Sequence, residues 1–282
     1  MKKLLTKTRL LSALFLLAPF YLRAEISDRA QKAVDDFMDL RMKIAGLSSD
    51  QALAQVADFE KKLSVDSSFS SQEDRLVLVN FIIMEKYNFL RKQKGSKPQL
   101  KKLLKELKEK NEAWFAANGE GKAGVWLLAT SADVTSCYMS YSVAEVMKSG
   151  LSLREKYLKA VALDPAFSYG WTNLGQWYYW APAINGGSDK KSRAAFEHAV
   201  AAAKNPAEKF FACVFYSQFL IEEKEFENAA AMLDQAEAQD PKNPYVDFLR
   251  SVNKTGDSFF DWSKKHSQME SGRPRVSPDE KR

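Results

Sequence analysis

The chain has 282 residues, 42 of them basic and 36 acidic, with 45% hydrophobic and 12% aromatic side chains. That apolar content excludes a disordered polymer, and the length allows one sizeable domain or one elongated array. The net charge of +6 does not point to nucleic acid, because it sits almost entirely at one end of the chain instead of on a folded face.

That end carries Lys2, Lys3, Lys7 and Arg9, then an apolar run from Leu10 to Leu22 and a small residue at Ala24. A basic flank, a short apolar run and a small residue at the cut form the layout of a secretory signal peptide. The run is shorter than the ~20 residues needed to span a bilayer. Residues 1–24 are therefore expected to be a leader, and the protein periplasmic or otherwise exported. An uncleaved N-terminal anchor is the alternative, since Leu22 is bulky for its place before the cut. Without residues 1–24 the chain holds 37 basic and 36 acidic side chains. The remainder is nearly neutral.

From there the chain reads as helices. Ala30, Val34, Phe37, Met38 and Met42 follow a helical stripe. Leu53, Val56, Ala57, Phe59 and Leu63 do the same after Ser49-Asp50, read as a helix N-cap. Val65 to Ser71 is a serine-rich break, and Leu76 to Leu90 is apolar enough for a buried helix. Pro98 opens a further helix at its first turn. That helix carries Leu100, Leu103, Leu104 and Leu107 on one face and lysines on the other. Asn118 to Gly121 is a turn, and 122–147 reads as one long helix or two short ones. No segment shows strand alternation. From about Ser267 to Arg282 the chain is polar with two prolines, the composition of a disordered tail.

The chain then repeats itself. Tyr157-Leu158-Lys159-Ala160 recurs as Phe196-Glu197-His198-Ala199 and as Leu233-Asp234-Gln235-Ala236, each followed by Asp-Pro or Asn-Pro. Between them lies Trp171-Thr172-Asn173-Leu174-Gly175-Gln176-Trp177-Tyr178. The order Trp, Leu-Gly, Tyr at these offsets resembles the tetratricopeptide repeat. The small residues Ala160, Gly175, Ala199 and Ala236 would let paired helices approach closely. Residues 168–206 and 210–241 make two good repeats, and 134–165 a weaker one. The alanines are 39 and 37 residues apart, against about 34 for the family. The loop Ala181 to Asp189 accommodates the first excess. The expected architecture is all-α, a solenoid of antiparallel helix pairs with about twelve helices. Degenerate helical repeats would fill 25–133, repeats and C-terminal capping helices 134–266, and the tail 267–282.

A narrower resemblance rests on Trp177-Tyr178-Tyr179-Trp180-Ala181-Pro182, followed by Gly186-Gly187 and Lys190. This stretch is similar to exported bacterial proteins of the TRAP-transporter T-component type. The resemblance implies a helical scaffold that partners a periplasmic solute-binding protein. The chain departs from the lipoprotein members in having no cysteine near its leader.

Cys137 and Cys213 fall at one repeat position two repeats apart. Packed helices lie 8–10 Å apart, so the two sulfurs are too distant for a disulfide, and two free, buried thiols are expected. Gly119-Glu120-Gly121-Lys122-Ala123-Gly124 matches a dinucleotide fingerprint by letter only, since a lysine-rich helix and no strand precedes it. His198 and His266 have no metal-ligand spacing around them. No nucleophile elbow or zinc motif occurs. The sequence therefore points away from an enzyme and names no catalytic residue, cofactor or metal.

Binding remains. In the resembling family the first helix of each repeat lines a concave groove. Carried over, this nominates Tyr138, Tyr169, Thr172, Gln176, Trp177, Tyr179, Trp180, Phe211 and Gln218, any of which could instead be core. Thr172 and Gln176 stand where a carboxylate clamp wants Lys and Asn, which argues against an acidic C-terminal peptide. A protein partner, with a periplasmic solute-binding protein implied by the resemblance, and a small apolar ligand in the aromatic groove both stay open.

Overall fold

The computed structural model describes residues 25–64, 69, 71–91, 93 and 95–271. The leader read at 1–24 lies outside the described residues, as do most of the serine-rich break and residues 272–282 of the expected tail. Among the described residues there are twelve α-helices and no strand. The first six are α1 (Asp28–Ile44), α2 (Ser49–Ser64), α3 (Gln72–Leu90), α4 (Lys97–Asn118), α5 (Val125–Met139) and α6 (Val143–Leu163). The rest are α7 (Ser168–Trp180), α8 (Asp189–Ala202), α9 (Pro206–Glu222), α10 (Phe226–Gln239), α11 (Pro244–Asn253) and α12 (Phe259–Ser271).

Local chemistry sets most helix starts. The side chains of Ser27, Ser71, Ser142, Ser188, Asn205 and Asn243 each accept from a backbone N–H of the following first turn, satisfying donors that the helix cannot. Pro98, Pro206 and Pro244 sit in first turns, where no donor is lost.

Five sequence expectations shift. The cap of α2 is Ser48, one residue before the expected pair; its hydroxyl accepts from the Gln51 N–H at 3.4 Å. Ala57 is exposed, because the stripe of α2 is narrower than the apolar spacing implied. The span 122–147 contains α5 and the start of α6, broken at Ser140 to Ser142, and α6 runs on to Leu163. Helix α12 continues to Ser271, into the segment read as tail. Both cysteines are free, but only Cys213 is fully buried and Cys137 is half-buried.

The helices pair as antiparallel neighbours, α5 with α6, α7 with α8 and α9 with α10. The small residues lie where these pairs meet. Ala160, Ala199 and Ala236 are wholly buried, and a Cβ on Gly175 would come within 2.9 Å of the Phe196 ring.

Helices α1, α3, α5, α7 and α9 make the inner layer. Helix α3 packs on α5, α5 on α7, and α7 on α9, while α1 packs on both α3 and α9. The first helix thus joins the two ends of the stack and closes it into a ring. Arg41 of α1 reaches Glu85 of α3 at 2.8 Å, and its guanidinium lies 4.9 Å from the ring of Phe211 on α9. Beyond the end of α1, Gly46 adopts φ +85°, and a Cβ there would meet the backbone nitrogen of Tyr245 at 2.5 Å. Asn243 donates to the Met42 carbonyl at 2.9 Å, across 201 positions of sequence.

Asn243 is therefore expected to matter beyond its role as the cap of α11. Asn243→Ala should lower stability by about 1 kcal/mol, since it removes the shorter of two hydrogen bonds to the Met42 carbonyl and leaves only that from the Ala45 N–H, at 3.3 Å. Urea unfolding of the two proteins measures this, and equal midpoints would detach ring closure from stability.

Candidate functional site

Inside the ring is a cavity of about 590 Å³. Its walls come from α1, α3, α5, α6, α7 and α9, the inner helices plus the outer helix of one pair. Most of the lining is apolar or aromatic: Met38, Phe81, Met84, Met139, Leu153, Phe211 and Phe215 among others. Tyr169, Thr172, Gln176, Trp177 and Trp180 all project from α7 into the same space.

Of the nine residues nominated from the sequence, six line the cavity: these five and Phe211. The structure places the other three elsewhere. Tyr138 packs with Tyr87, Leu100 and Leu104 in a separate cluster against α4. Tyr179 lies on the opposite side of α7, against Phe219 and Phe260. Gln218 is buried in α9, where its carbonyl accepts from the Phe259 N–H at 2.7 Å and so holds the start of α12.

The cavity also has a polar wall that the sequence did not disclose. Asp133 of α5 accepts from the Tyr157 hydroxyl of α6 at 2.5 Å and from the Tyr169 hydroxyl of α7. Beside it stands the Arg41–Glu85 pair, whose side chains are only 16% and 9% exposed. Burial opposes the Arg41 charge, and Glu85, Tyr169 and Asp133 outweigh it and favour the charged form. Burial raises the Asp133 carboxyl from its ordinary range to about 6; the two tyrosine donors and Arg41 pull it down but do not cancel the effect. Burial and the neighbouring carboxylate push both tyrosines far up, so they remain protonated donors. Glu208 at the foot of α9 is raised by burial too, although the Lys204 N–H donates to it at 2.7 Å.

Asn173, one turn from Tyr169, lines the cavity as well. Its carbonyl oxygen accepts from the Gln176 amide at 3.1 Å. Its Nδ2 is screened from solvent and, among the described residues, is the one buried side-chain nitrogen or oxygen outside hydrogen-bond geometry to any partner. The amide turns its donor to the Tyr169 oxygen and favours the tyrosine anion slightly.

The mouth is built by the loop after α7. A Cβ on Gly187 would come within 1.8 Å of the Ala181 carbonyl oxygen, so only glycine fits. Gly186 adopts φ +96°. The Gly187 and Ser188 N–H groups donate to the Pro182 and Tyr178 carbonyls at 3.1 and 2.9 Å. Arg154 of α6 stacks its guanidinium 5.3 Å from the Trp177 ring and donates to the Asn185 carbonyl. Ala181, Pro182 and Asn185 thereby form one lip, opposite Val146, Met147 and Leu151 of α6.

The residues that fold this lip are those of the Trp-Tyr-Tyr-Trp-Ala-Pro…Gly-Gly stretch, and the family assignment agrees with them. The model of one protein family, described as TRAP transporter T-component, matches residues 82–254. The chain belongs to the TRAP transporter T-component family. No curated protein matches it. The matched region runs from the middle of α3 to the end of α11 and holds the inner helices α5, α7 and α9 whole; α1, which closes the ring of this T-component, precedes it. No helix among the described residues is long and apolar enough to cross a membrane.

The raised Asp133 value has a defined sign in this T-component. The folded protein holds the proton more tightly than the unfolded chain does, so the contribution of Asp133 is fully present below about pH 4. It is lost as the pH rises through about 6. Carbon-detected NMR of the carboxyl should give a midpoint of about 6. Tyr157→Phe should move that midpoint up, because it removes a donor to the anion. A midpoint in the ordinary aspartate range would show that the polar wall is open to water.

Proposed function

We propose that this T-component works without catalysis and holds a small, chiefly apolar molecule in its central cavity on behalf of a TRAP-type transport system. The carrying observation is the cavity itself: about 590 Å³, open at one mouth, walled by six helices and lined mainly by aromatic and aliphatic side chains. Ligand sites for small organic molecules have this size and composition, with a few placed polar groups. The leader read at 1–24 puts the protein outside the cytoplasm in this account, as a periplasmic transport partner requires.

Binding is read most simply with the neutral fluorophore N-phenylnaphthylamine, whose emission rises in apolar surroundings. Gly150 lines the cavity and a Cβ there would touch only the Met139 methyl, at 3.9 Å. Gly150→Phe should therefore fill the cavity without disturbing the helices. The expected result is loss of fluorophore binding at an unchanged melting temperature. Equal binding by the filled variant would place the fluorophore elsewhere and remove the cavity from the function.

A second reading has its own support. Met147 is 84% exposed, Leu151 54%, Trp180 49% and Ile184 94%. These large apolar residues gather at the mouth, on α6 and on the loop after α7, and such patches mark interaction surfaces. In this reading the T-component docks a protein partner there, with a periplasmic solute-binding protein the partner that the family's transport role favours. A photo-crosslinking residue at position 147 in intact cells is expected to capture that protein. Labelling that spreads evenly over exported proteins would sink the docking reading and leave the cavity reading standing.

A further inference from the structure

The proposed ligand can be narrowed by the charge of the wall that faces it. Three residues lining the cavity carry a formal charge, Arg41, Asp133 and Glu208, and Glu85 pairs with Arg41 at 2.8 Å. One cation is thus set against three carboxylates. Arg41 is engaged: its Nε donates to Glu85, one Nη donates to the Met38 sulfur at 3.2 Å, and Asp133 adds to the field that keeps it charged. An anion arriving at the remaining guanidinium N–H groups would meet two carboxylates that already share that charge. Glu208 is different. It is 8% exposed. One of its carboxylate oxygens accepts from the Lys204 N–H at 2.7 Å, and the other accepts no hydrogen bond among the described residues. The Lys204 ammonium lies 3.3 Å from Asp164 instead, so Glu208 has no ion pair among the described residues.

The aromatic walls supply an independent observation. Phe81, Tyr169, Trp177, Trp180, Phe211 and Phe215 line the cavity, and the protein already rests cations on such rings. The Arg41 guanidinium lies 4.9 Å from Phe211 and 5.9 Å from Phe81, and that of Arg154 lies 5.3 Å from Trp177. Aromatic faces attract organic cations, the more so away from water. Burial is the main reason that Asp133 and Glu208 hold their protons more tightly than usual, and Asp35 and Asp164 add to it at Glu208. A cation brought into the cavity would stabilise both carboxylates, whereas an anion would add to charge that is already unbalanced and poorly solvated.

We propose that the cavity takes an organic cation, a chiefly apolar molecule bearing one ammonium group, and that Glu208 is the carboxylate that pairs with it. This rests on the reading that the cavity holds a small molecule. The aromatic and aliphatic walls hold the body of the ligand without direction, while the ammonium group pairs with the open Glu208 oxygen and lies within the field of Asp133. A charge-assisted hydrogen bond is roughly twice as strong as a neutral one, so the pair separates ammonium ligands from neutral molecules of the same chain. The other Glu208 oxygen, on the Lys204 N–H, fixes the approach to α9, a task that a neutral glutamine can keep.

The test uses three eight-carbon probes, octylammonium, octanol and octanoate, each displacing N-phenylnaphthylamine from the full-length protein near neutral pH. Comparing protein variants for each probe cancels the different hydration of the probes. Glu208→Gln keeps an oxygen for the Lys204 N–H and removes the charge. It should weaken octylammonium about tenfold or more, the value of one hydrogen bond to a charged group, and leave octanol unchanged. Octylammonium should also bind the wild type more tightly than octanoate does. A second measurement needs no variant. Around Asp133 stand Arg41 of α1, Tyr157 of α6, Tyr169 of α7 and Cys137 of its own helix, with Glu85 of α3 paired to Arg41. Saturating octylammonium should lower the Asp133 midpoint from about 6 in the wild type, and octanol should not lower it. Equal losses of octylammonium and octanol in Glu208→Gln, together with a lower melting temperature, would assign Glu208 to the start of α9 alone and overturn the proposal. An unmoved or higher Asp133 midpoint with octylammonium bound would overturn it too. Tightest binding by octanoate would make Arg41 the pole of the site and overturn the cationic class. If no probe displaces the fluorophore, the cavity reading itself falls, a result distinct from a cavity that binds all three chains without regard to charge.

Discussion

A stack of helical hairpins has two ends, and each end presents an apolar face that no further hairpin covers. Here the first helix covers both. Helix α1 lies against α3 on one side and α9 on the other, and its buried face of Ala30, Val34, Phe37, Met38 and Met42 is the mortar between them. The open superhelix that successive hairpins would otherwise form becomes a ring. Everything of functional interest follows from that closure, because a ring of inner helices encloses space where an open stack would only curve around it. Polar pins fix the closure at two places, the Arg41–Glu85 pair and the bond from Asn243 to the Met42 carbonyl. A buried ion pair contributes little net stability against its desolvation, yet breaking it is costly. Its natural use is to hold α1 in one register.

The cavity wall divides into two kinds of surface with different jobs. Aromatic and aliphatic residues from six helices supply attraction that is large and without direction. A compact polar cluster of Arg41, Glu85, Asp133, Tyr157 and Tyr169 ties α1, α3, α5, α6 and α7 together at one wall. Nearly every donor and acceptor in the cluster is matched inside the protein, as buried polar networks require.

The same loop that carries the family's sequence mark also shapes the entrance. Gly187 is required by the approach of the Ala181 carbonyl, and the turn it permits sets Pro182 and Asn185 at the lip. Exposed Met147, Leu151 and Ile184 surround that lip. Cavity and collar are continuous, so occupancy of the one and covering of the other would meet at the same few residues.

Much of the architecture was legible in the residues taken one after another. Helices leave a periodic apolar stripe, caps and prolines mark their starts, and the repeated alanines with Gly175 disclosed which helices pair closely. These are local or nearest-neighbour effects, and a linear sequence records them. The trace failed where an end depends on a single turn, as at Ser48, where the cap fell one residue early, and at Ser271. Six of the nine nominated groove residues face one space because α7 is short and amphipathic enough for its spacing to give its faces. Tyr138, Tyr179 and Gln218 obey the same periodicity but meet α4, α12 and their own core, and neighbours so far away in sequence leave no mark on the stripe. Arg41, Asp133 and Tyr157 could be given meaning only in three dimensions. The closure of α1 onto α9 joins segments that share no motif, and it is long-range packing, not local propensity, that turns a row of hairpins into a vessel.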